Sequence, residues 1–167
     1  HEPRTMRFPL DRVQKILDQY ATLGKEIHIT EFEPAASGQK ITGSHREGTW
    51  DEAAQAEYAV KFYRVSFAHP AVRAITWWDL GDQGSFIPGG GMLREDLSPK
   101  LVYEQLKRLI HEEWKTRVSG TTDGKGRFSL RGFFGTYNVV VTISGKTIET
   151  QFHLEQGKAN ELTVSLP

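Results

Sequence analysis

The apolar positions of residues 1–114 follow two different periods. Apolar residues spaced three and four apart predict helices, and short continuous apolar runs predict buried strands. In chain order the pattern predicts a helix over 9–23, a strand over 26–31, a helix over 49–68, a strand over 73–78 and a helix over 98–114. Helices that alternate with strands in this way indicate parallel strands joined by crossover helices, which is the α/β class.

Residues with known capping preferences mark the ends of these predicted helices. Thr49 and Glu52 have the spacing of a capping box, which predicts the start of the second helix. Ser98 followed by Pro99 predicts the start of the third helix, since serine is a common N-cap and proline suits the first helical position. Gly24 predicts the end of the first helix.

Beyond residue 115 the apolar positions alternate with a period of two. The alternation predicts four short strands, at 127–130, 137–143, 148–154 and 162–166, with glycine-containing turns between them. Closely spaced short strands of this kind are typical of a small antiparallel β-sandwich. We therefore predict two domains, one over 1–115 and an accessory domain over 116–167.

The composition narrows the classes of ligand. Lys and Arg total 21 and Asp and Glu total 21 among 167 residues, so no net charge favours binding to nucleic acid or to an acidic membrane surface. No apolar run approaches the roughly 20 residues needed to span a bilayer. The chain has no cysteine, which excludes disulfides and thiolate chemistry. We expect neither a nucleic acid nor a membrane as partner.

The most informative residue is Glu31, which follows the apolar run of the first predicted strand. In an α/β barrel, catalytic side chains project from the carboxyl ends of the strands. Trp78 ends the second predicted strand in the same way. A carboxylate and an aromatic side chain at neighbouring strand ends suggest carboxylate chemistry on a sugar. The alternative for Glu31 is an ion pair at a strand end.

Three short motifs, in this order along the chain, resemble motifs of glycoside hydrolase family 10, the family of endo-β-1,4-xylanases. The stretch 30–33, Thr-Glu-Phe-Glu, is similar to a Thr-Glu-Leu-Asp motif on the seventh barrel strand. The stretch 78–86 is similar to the Trp-Gly-x-x-Asp-x-x-Ser-Trp motif of the eighth strand. The stretch 98–103, Ser-Pro-Lys-Leu-Val-Tyr, is similar to the start of the last barrel helix. The resemblance covers roughly residues 1–114.

The resemblance implies a fold and a reaction. The expected fold is α/β, the C-terminal portion of a (β/α)8 TIM barrel over 1–115, followed by the small antiparallel β-sandwich over 116–167. The implied activity is cleavage of β-1,4-xylan backbones with retention, by two glutamates and without a cofactor. Three positions depart from the family pattern: Glu33 stands in place of Asp, Asp79 in place of Gly and Phe86 in place of the second Trp.

The resemblance also implies roles for single residues. Glu31 would be the nucleophile, and His1 lies about where the family places a histidine that hydrogen-bonds the nucleophile. Trp78 would be a sugar platform, with core packing as the alternative. Phe86 would be a second platform or a loop anchor. Asp82 would bind substrate or orient its neighbours, although an aspartate in a glycine-rich loop is as often a turn former.

Two further expectations concern the rest of the site. The family carries its acid/base glutamate in an Asn-Glu pair on an earlier barrel strand, and no such pair lies within 1–114. We therefore expect this chain to be the C-terminal piece of a longer enzyme, inactive alone, secreted or periplasmic, with a polysaccharide as its partner. A metal site at His1, His28, Glu31 and Glu33 is conceivable, but no ligand spacing supports it, and none is predicted.

Two alternatives stay open at this point. Phe86 and the long polar loop over 34–49 could reshape the sugar subsites, so the chain would also suit a glycosidase that acts on another β-glycan. The same residues would also suit a non-catalytic carbohydrate-binding module, in which Glu31 and Trp78 contact a ligand or fill the core.

Overall fold

A computed structural model of the chain describes residues 5–43 and 46–165. The chain divides into two compact units, His1–Glu112 and Glu113–Pro167. The first unit contains α1 (Leu10–Ala21), β1 (Ile27–Phe32), α2 (Glu52–Ala68), β2 (Val72–Trp77) and α3 (Leu101–Arg108), and a π-helical turn follows α3 at Leu109–Glu113. The second unit contains β3 (Gly135–Ile143) and β4 (Lys146–Leu154).

The two strands of the first unit pair in parallel, as the alternation of helices and strands predicts. His28 lies opposite Ala74, and Ile29 lies opposite Ile75. A parallel pair needs a crossover connection, and α2 provides it. The described residues of the first unit form this two-stranded sheet and no closed barrel.

An aromatic cluster joins the sheet to α2. Phe32, almost completely buried at the end of β1, stacks on Phe62 of α2 with ring centroids 4.0 Å apart. Trp77 of β2 meets the Phe32 ring edge-on at 5.4 Å, and Tyr58 and Tyr63 of α2 complete the cluster. Such aromatic pairs contribute beyond the area that they bury. The cluster therefore fixes the carboxyl ends of both strands against the helix.

The capping-box prediction for α2 is wrong. The N-cap is Asp51, whose carboxylate accepts a hydrogen bond from the backbone N–H of Ala54 at 2.7 Å. Thr49 instead forms an isolated antiparallel bridge with Lys40 in the preceding loop. An aspartate satisfies the same free N–H groups as a threonine, so both positions suit the cap and the loop pairing decides between them.

The predicted start of α3 is also wrong, by two residues, since the sequence predicts Ser98 as N-cap and Pro99 as the first helical residue. The helix begins at Leu101 with Lys100 as N-cap, and no side chain caps it. Ser98 and Pro99 pair with the preceding loop, because the backbone N–H of Arg94 donates to the Ser98 carbonyl at 2.9 Å and Pro99 bridges Leu93.

The second unit is built on one antiparallel hairpin. Nine residues of β3 pair with nine of β4, and Ser144 and Gly145 make the two-residue turn, both with positive φ. Positive φ at both turn residues matches the right-handed twist of the strands. Half-buried residues, most of them apolar, alternate with exposed ones along both strands, so the predicted alternation at 137–143 and 148–154 is confirmed.

The β-sandwich is not confirmed. Residues 127–130 and 162–165 lie outside strands, and none of the described residues of this unit is buried. A sandwich needs two sheets that bury a shared face, whereas the described residues of this unit form one two-stranded sheet. The accessory domain over 116–167 stays a prediction.

Candidate active site

The carboxyl ends of β1 and β2 lie at the same edge of the parallel sheet. Phe32 pairs with Trp77, and the backbone N–H of Trp78 donates to the Phe32 carbonyl at 3.2 Å. The structure therefore brings Glu31 and Trp78, the two leading candidates from the sequence, to neighbouring strand ends. This is the edge at which catalytic side chains of an α/β barrel project.

A β-bulge coincides with Glu31. Between the pairs Ile29–Ile75 and Phe32–Trp77, β1 contains two residues, Thr30 and Glu31, and β2 contains one. A bulge of this kind bends a strand locally and changes the direction of a side chain, which is why bulges recur beside active sites.

The aromatic cluster defines one face of the sheet at the two strand ends. Phe32 and Trp77 pack on the α2 side of the sheet, and successive side chains of a strand point to opposite faces. Strand alternation alone would direct Glu31 and Trp78 to the opposite face, and the bulge modifies this direction at Glu31. Glu31 is half-buried, and Trp78 is 47% exposed. An exposed indole beside a carboxylate is an arrangement that suits a pyranose stacked over a nucleophile.

Phe86 is presented by a short loop that begins at the end of β2. The backbone N–H of Phe86 donates to Asp79 Oδ2 at 2.8 Å, so one carboxylate closes the segment 79–86. The Phe86 side chain is 56% exposed. This exposure suits a platform better than a loop anchor buried in the core, and its role in binding a sugar stays a prediction.

Asp82 makes internal contacts. Its Oδ1 atom accepts from the backbone N–H of Gly91 at 2.9 Å and from Lys100 Nζ at 2.7 Å. The Asp82 side chain is 17% exposed, and the Lys100 side chain is 2% exposed. These contacts support the orienting role for Asp82, while a substrate contact stays a prediction.

Four polar side chains hold the glycine-rich loop 89–91. Gln55 Nε2 and Lys100 Nζ each donate to the Gly89 carbonyl at 2.9 Å. Trp77 Nε1 donates to the Gly90 carbonyl at 3.0 Å, and Asp82 accepts from Gly91 as described above. Sequence reasoning missed Gln55 and Lys100 here. The run of three glycines is the signal in the sequence, because it marks a loop whose backbone is closely approached.

Neighbouring atoms leave no room for a Cβ atom at Gly89, Gly90 or Gly91, so each position requires glycine. A Cβ atom at Gly91 would lie 2.4 Å from the Gly81 carbonyl carbon, and one at Gly89 would lie 2.6 Å from the Ala36 carbonyl oxygen. A Cβ atom at Gly90 would meet the carboxyl group of Glu33. The loop therefore packs directly on the segments that follow β1 and β2.

Glu33 has the most strongly perturbed carboxyl group of the site. Its side chain is buried beneath the glycine-rich loop, and the pKa of Glu33 is raised to about 8, with burial as the largest of several causes. A hydrogen bond to Asp79 and the negative charges of Asp79 and Asp82 add to this increase in pKa, and the backbone N–H of Ile87 opposes it. This increase in pKa favours the protonated form of Glu33 at neutral pH.

The two histidines considered from the sequence, His1 and His28, are not brought to the site by the described structure. His1 lies outside the described residues, so its predicted contact with Glu31 stays a prediction. His28 lies on β1 and is exposed. Within 5–43 and 46–165, no group of three or more His, Asp or Glu side chains could hold a metal ion. No helix in the same part of the chain is long and apolar enough to cross a membrane.

Comparison with known families decides the assignment. The sequence profile described as glycosyl hydrolase family 10 matches residues 4–108, which is more than half of the 167 residues. The chain belongs to glycosyl hydrolase family 10. This confirms the resemblance based on the motifs at 30–33, 78–86 and 98–103. The match includes both strand ends of the site and extends through α3.

Relatives of this family 10 chain include proteins of different names. The chain is 33% identical over 138 residues to the anti-sigma-I factor RsgI6 of Acetivibrio thermocellus, covering 78% of this chain and 16% of that protein. It is 28% identical over 149 residues to endo-1,4-beta-xylanase 2 of Arabidopsis thaliana, covering 88% and 12%. It is 32% identical over 111 residues to endo-1,4-beta-xylanase B of Thermotoga neapolitana, covering 62% and 30%. The chain thus spans less than a third of each relative's length.

A solved structure shares part of the fold of the family 10 chain. A beta-glucuronidase of Bifidobacterium dentium, complexed with coumarin-3-O-glucuronide, superposes with a TM-score of 0.50 at 22% identity, over 61% of this chain and 17% of that chain. At this identity the similarity concerns the fold alone. The family and this similarity together assign the first unit to part of a TIM barrel.

Proposed function

We propose that this chain carries part of the active site of an endo-β-1,4-xylanase. The observation that carries the proposal is the position of Glu31, at a bulge at the carboxyl end of β1 and beside the end of β2. Membership of family 10 and the two relatives named endo-1,4-beta-xylanases support xylan as substrate. A polymer such as xylan is too large to enter a cell intact, so we also propose a secreted or periplasmic location.

The proposed reaction is retaining hydrolysis. Glu31, in its ionised form, attacks the anomeric carbon and forms a covalent glycosyl-enzyme intermediate, while a second carboxyl group protonates the oxygen of the leaving sugar. The second group then removes a proton from water, which releases the sugar with its original configuration. That group must lie about 5–5.5 Å from Glu31. In our proposal the acid/base glutamate of the whole protein supplies it, and Trp78 supports the sugar ring.

Replacement of the nucleophile tests the proposal. In the whole protein, we expect Glu31→Gln to lower the turnover of xylan on the order of 10³-fold or more, since the nucleophile is removed while the shape of the site is kept. The matched control is Glu95→Gln, an exposed carboxylate in the loop between β2 and α3, which should leave turnover unchanged. Equal turnover in the wild type and Glu31→Gln would contradict the role of Glu31.

The stereochemistry of the first product tests the retaining mechanism separately. Proton NMR of freshly released xylo-oligosaccharides should show the β-anomer before mutarotation. An initial α-anomer would require an inverting mechanism, in which the two carboxyl groups are about 6.5–9.5 Å apart. Product analysis against xylan, cellulose and mixed-linkage glucan identifies the β-glycan that the site prefers.

A second candidate function is binding without hydrolysis. The relative with 33% identity is named an anti-sigma-I factor, which is a name for a regulator rather than for an enzyme. In this alternative, Trp78 and Phe86 hold a polysaccharide and Glu31 is a ligand contact. Saturable binding to xylan by the whole protein, with no soluble product after prolonged incubation, would favour this alternative over the xylanase.

A further inference from the structure

Glu33 and Asp79 are two carboxyl groups in contact at the edge of the proposed active site. Asp79 lies within hydrogen-bonding range of the Glu33 side chain. Both Glu33 oxygens are buried, and neither meets an N–H or O–H donor with full hydrogen-bond geometry. The backbone N–H of Ile87 is near enough to favour the ionised form of Glu33 but does not satisfy it.

Two carboxylates cannot bond to each other, because an ionised carboxyl group only accepts hydrogen bonds. A contact between them therefore requires one proton. The buried member of such a pair holds the proton more tightly, since burial disfavours the charged form. Glu33 is only 4% exposed and is packed against Gly90, so it is the group that keeps the proton.

Asp79 connects the Glu33–Asp79 pair to the segment 79–86, which carries Phe86. Its Oδ2 atom accepts the backbone N–H of Phe86 at 2.8 Å, and Asp79 directly follows Trp78. A chain of contacts thus runs from the Glu33 carboxyl through Asp79 to Phe86. In the family pattern the position of Glu33 has Asp, which is also a carboxyl residue, and the position of Asp79 has Gly, which has no side chain to make this contact.

We propose that Glu33 and Asp79 share one proton and that this shared proton holds the segment 79–86 in place, so that Glu33 and Asp79 are positioning residues for the aromatic platforms. The proposal deepens the proposed function, on which its consequence for substrate binding rests. When Glu33 loses the proton to solvent, two negative charges face each other, and Asp79 moves away from the Phe86 N–H.

The other ionisable groups around Glu33 do not replace this proton. Asp82 is the further charge that acts on Glu33, and it also disfavours ionisation. Lys100 pairs with Asp82 at 2.7 Å and donates to Gly89, so its ammonium group is already engaged. From α2, Gln55 donates to the same loop at the Gly89 carbonyl, and its amide does not titrate.

Amide hydrogen exchange at Phe86 tests the positioning directly, and it does not depend on catalysis. In the wild-type whole protein, we expect the protection factor of the Phe86 N–H to fall by about tenfold between about pH 6 and about pH 9.5, because a hydrogen bond to a charged group is lost. Glu33→Gln keeps a donor towards Asp79 at every pH, so its Phe86 protection should stay constant. Glu95→Gln is the matched control and should behave as the wild type.

Infrared difference spectra between the wild type and Glu33→Gln report the proton itself. We expect the carbonyl band of a protonated carboxylic acid at neutral pH, and we expect this band to disappear as the pH rises through about 8. Asp79→Asn removes one of the negative charges, so the same transition should move to lower pH. A band already absent at neutral pH, or equal Phe86 protection profiles in the wild type and Glu33→Gln, would overturn the proposal.

Kinetics separate this proposal from the proposed function. For an active xylanase, we expect KM to rise on the alkaline side in the wild type and to stay constant in Glu33→Gln, with kcat affected less than KM. A protein without turnover that nevertheless shows the infrared band and the pH-dependent Phe86 protection would refute the xylanase and leave the shared proton intact.

Discussion

The ion pair between Asp82 and Lys100 offers a quantitative test of the site. Breaking one partner of a buried pair costs about 3–5 kcal/mol, because the other charge stays in a poor environment. The Lys100 side chain is much more buried than that of Asp82. Asp82→Ala leaves an ammonium group almost without solvent, and among the residues that the structure describes its remaining partner is the Gly89 carbonyl at 2.9 Å. We therefore expect this change to lower the free energy of unfolding by about 3–5 kcal/mol.

Removing the charge of Lys100 should lower the free energy of unfolding by less than removing that of Asp82. Lys100→Met keeps the apolar part of the side chain and leaves the Asp82 carboxylate with the Gly91 N–H at 2.9 Å and partial access to water. We expect a loss of about 2–3 kcal/mol, below the usual range for a fully buried partner. In the double variant the two losses should not add, because neither charge is then left alone.

Urea unfolding followed by tryptophan fluorescence measures these free energies by linear extrapolation. The control is Glu26→Ala, which removes an exposed ion pair with Arg73 at 3.2 Å and should cost about 0–1 kcal/mol. A smaller loss for Asp82→Ala than for Lys100→Met, or losses as small as that of Glu26→Ala for both, would refute the argument from burial.

Three further predictions concern the same region. Gly91→Ala should lower the free energy of unfolding by about 1–3 kcal/mol, because its Cβ meets backbone atoms at 2.4 Å, whereas Gly81→Ala, with its nearest contact at 3.9 Å, should be nearly neutral in the same urea titration. The folded-state pKa of Glu33 is raised from 4.5 to about 8, so its contribution to the free energy of unfolding should be largest below about pH 4.5 and be lost as the pH rises through about 8. The loss is at most about 1.4 kcal/mol per pH unit. A Glu33→Gln variant whose stability, measured by thermal unfolding, falls equally steeply with pH would contradict this. Phe32→Ala should cost about 3–5 kcal/mol in chemical unfolding, since it removes the ring at the centre of the aromatic cluster, and a cost below about 1 kcal/mol would show that the cluster does not hold the strand ends.

The sequence predicted the elements that depend on local periodicity. Apolar spacing located α1, α2, β1 and β2 to within a few residues, because each element must present an apolar face to the core. The parallel pairing also followed, because strands joined by a crossover helix have little choice of direction. The capping residues were less predictable, since Thr49, Asp51, Ser98 and Lys100 compete for the same backbone groups and loop pairing decides among them.

The second unit shows the limit of periodicity. Alternation in 137–143 and 148–154 is enough to predict a hairpin, because each strand needs only its neighbour. A sandwich needs two sheets at a distance that fits their side chains, and alternation carries no information about which sheet meets which. The segments 127–130 and 162–165 alternate in sequence yet lie outside strands.

By itself, the sequence determined the α/β order, the family motifs and the placement of Glu31 and Trp78 at strand ends, because spacing along the chain encodes the period of each element. Only the tertiary structure decided what surrounds them: the bulge at Glu31, the Lys100–Asp82 pair and the burial of Glu33 against Gly90 and Asp79. These features join residues far apart in the chain. Burial and charge act through distance in space, so the protonation of Glu33 could be inferred only after the chain was folded.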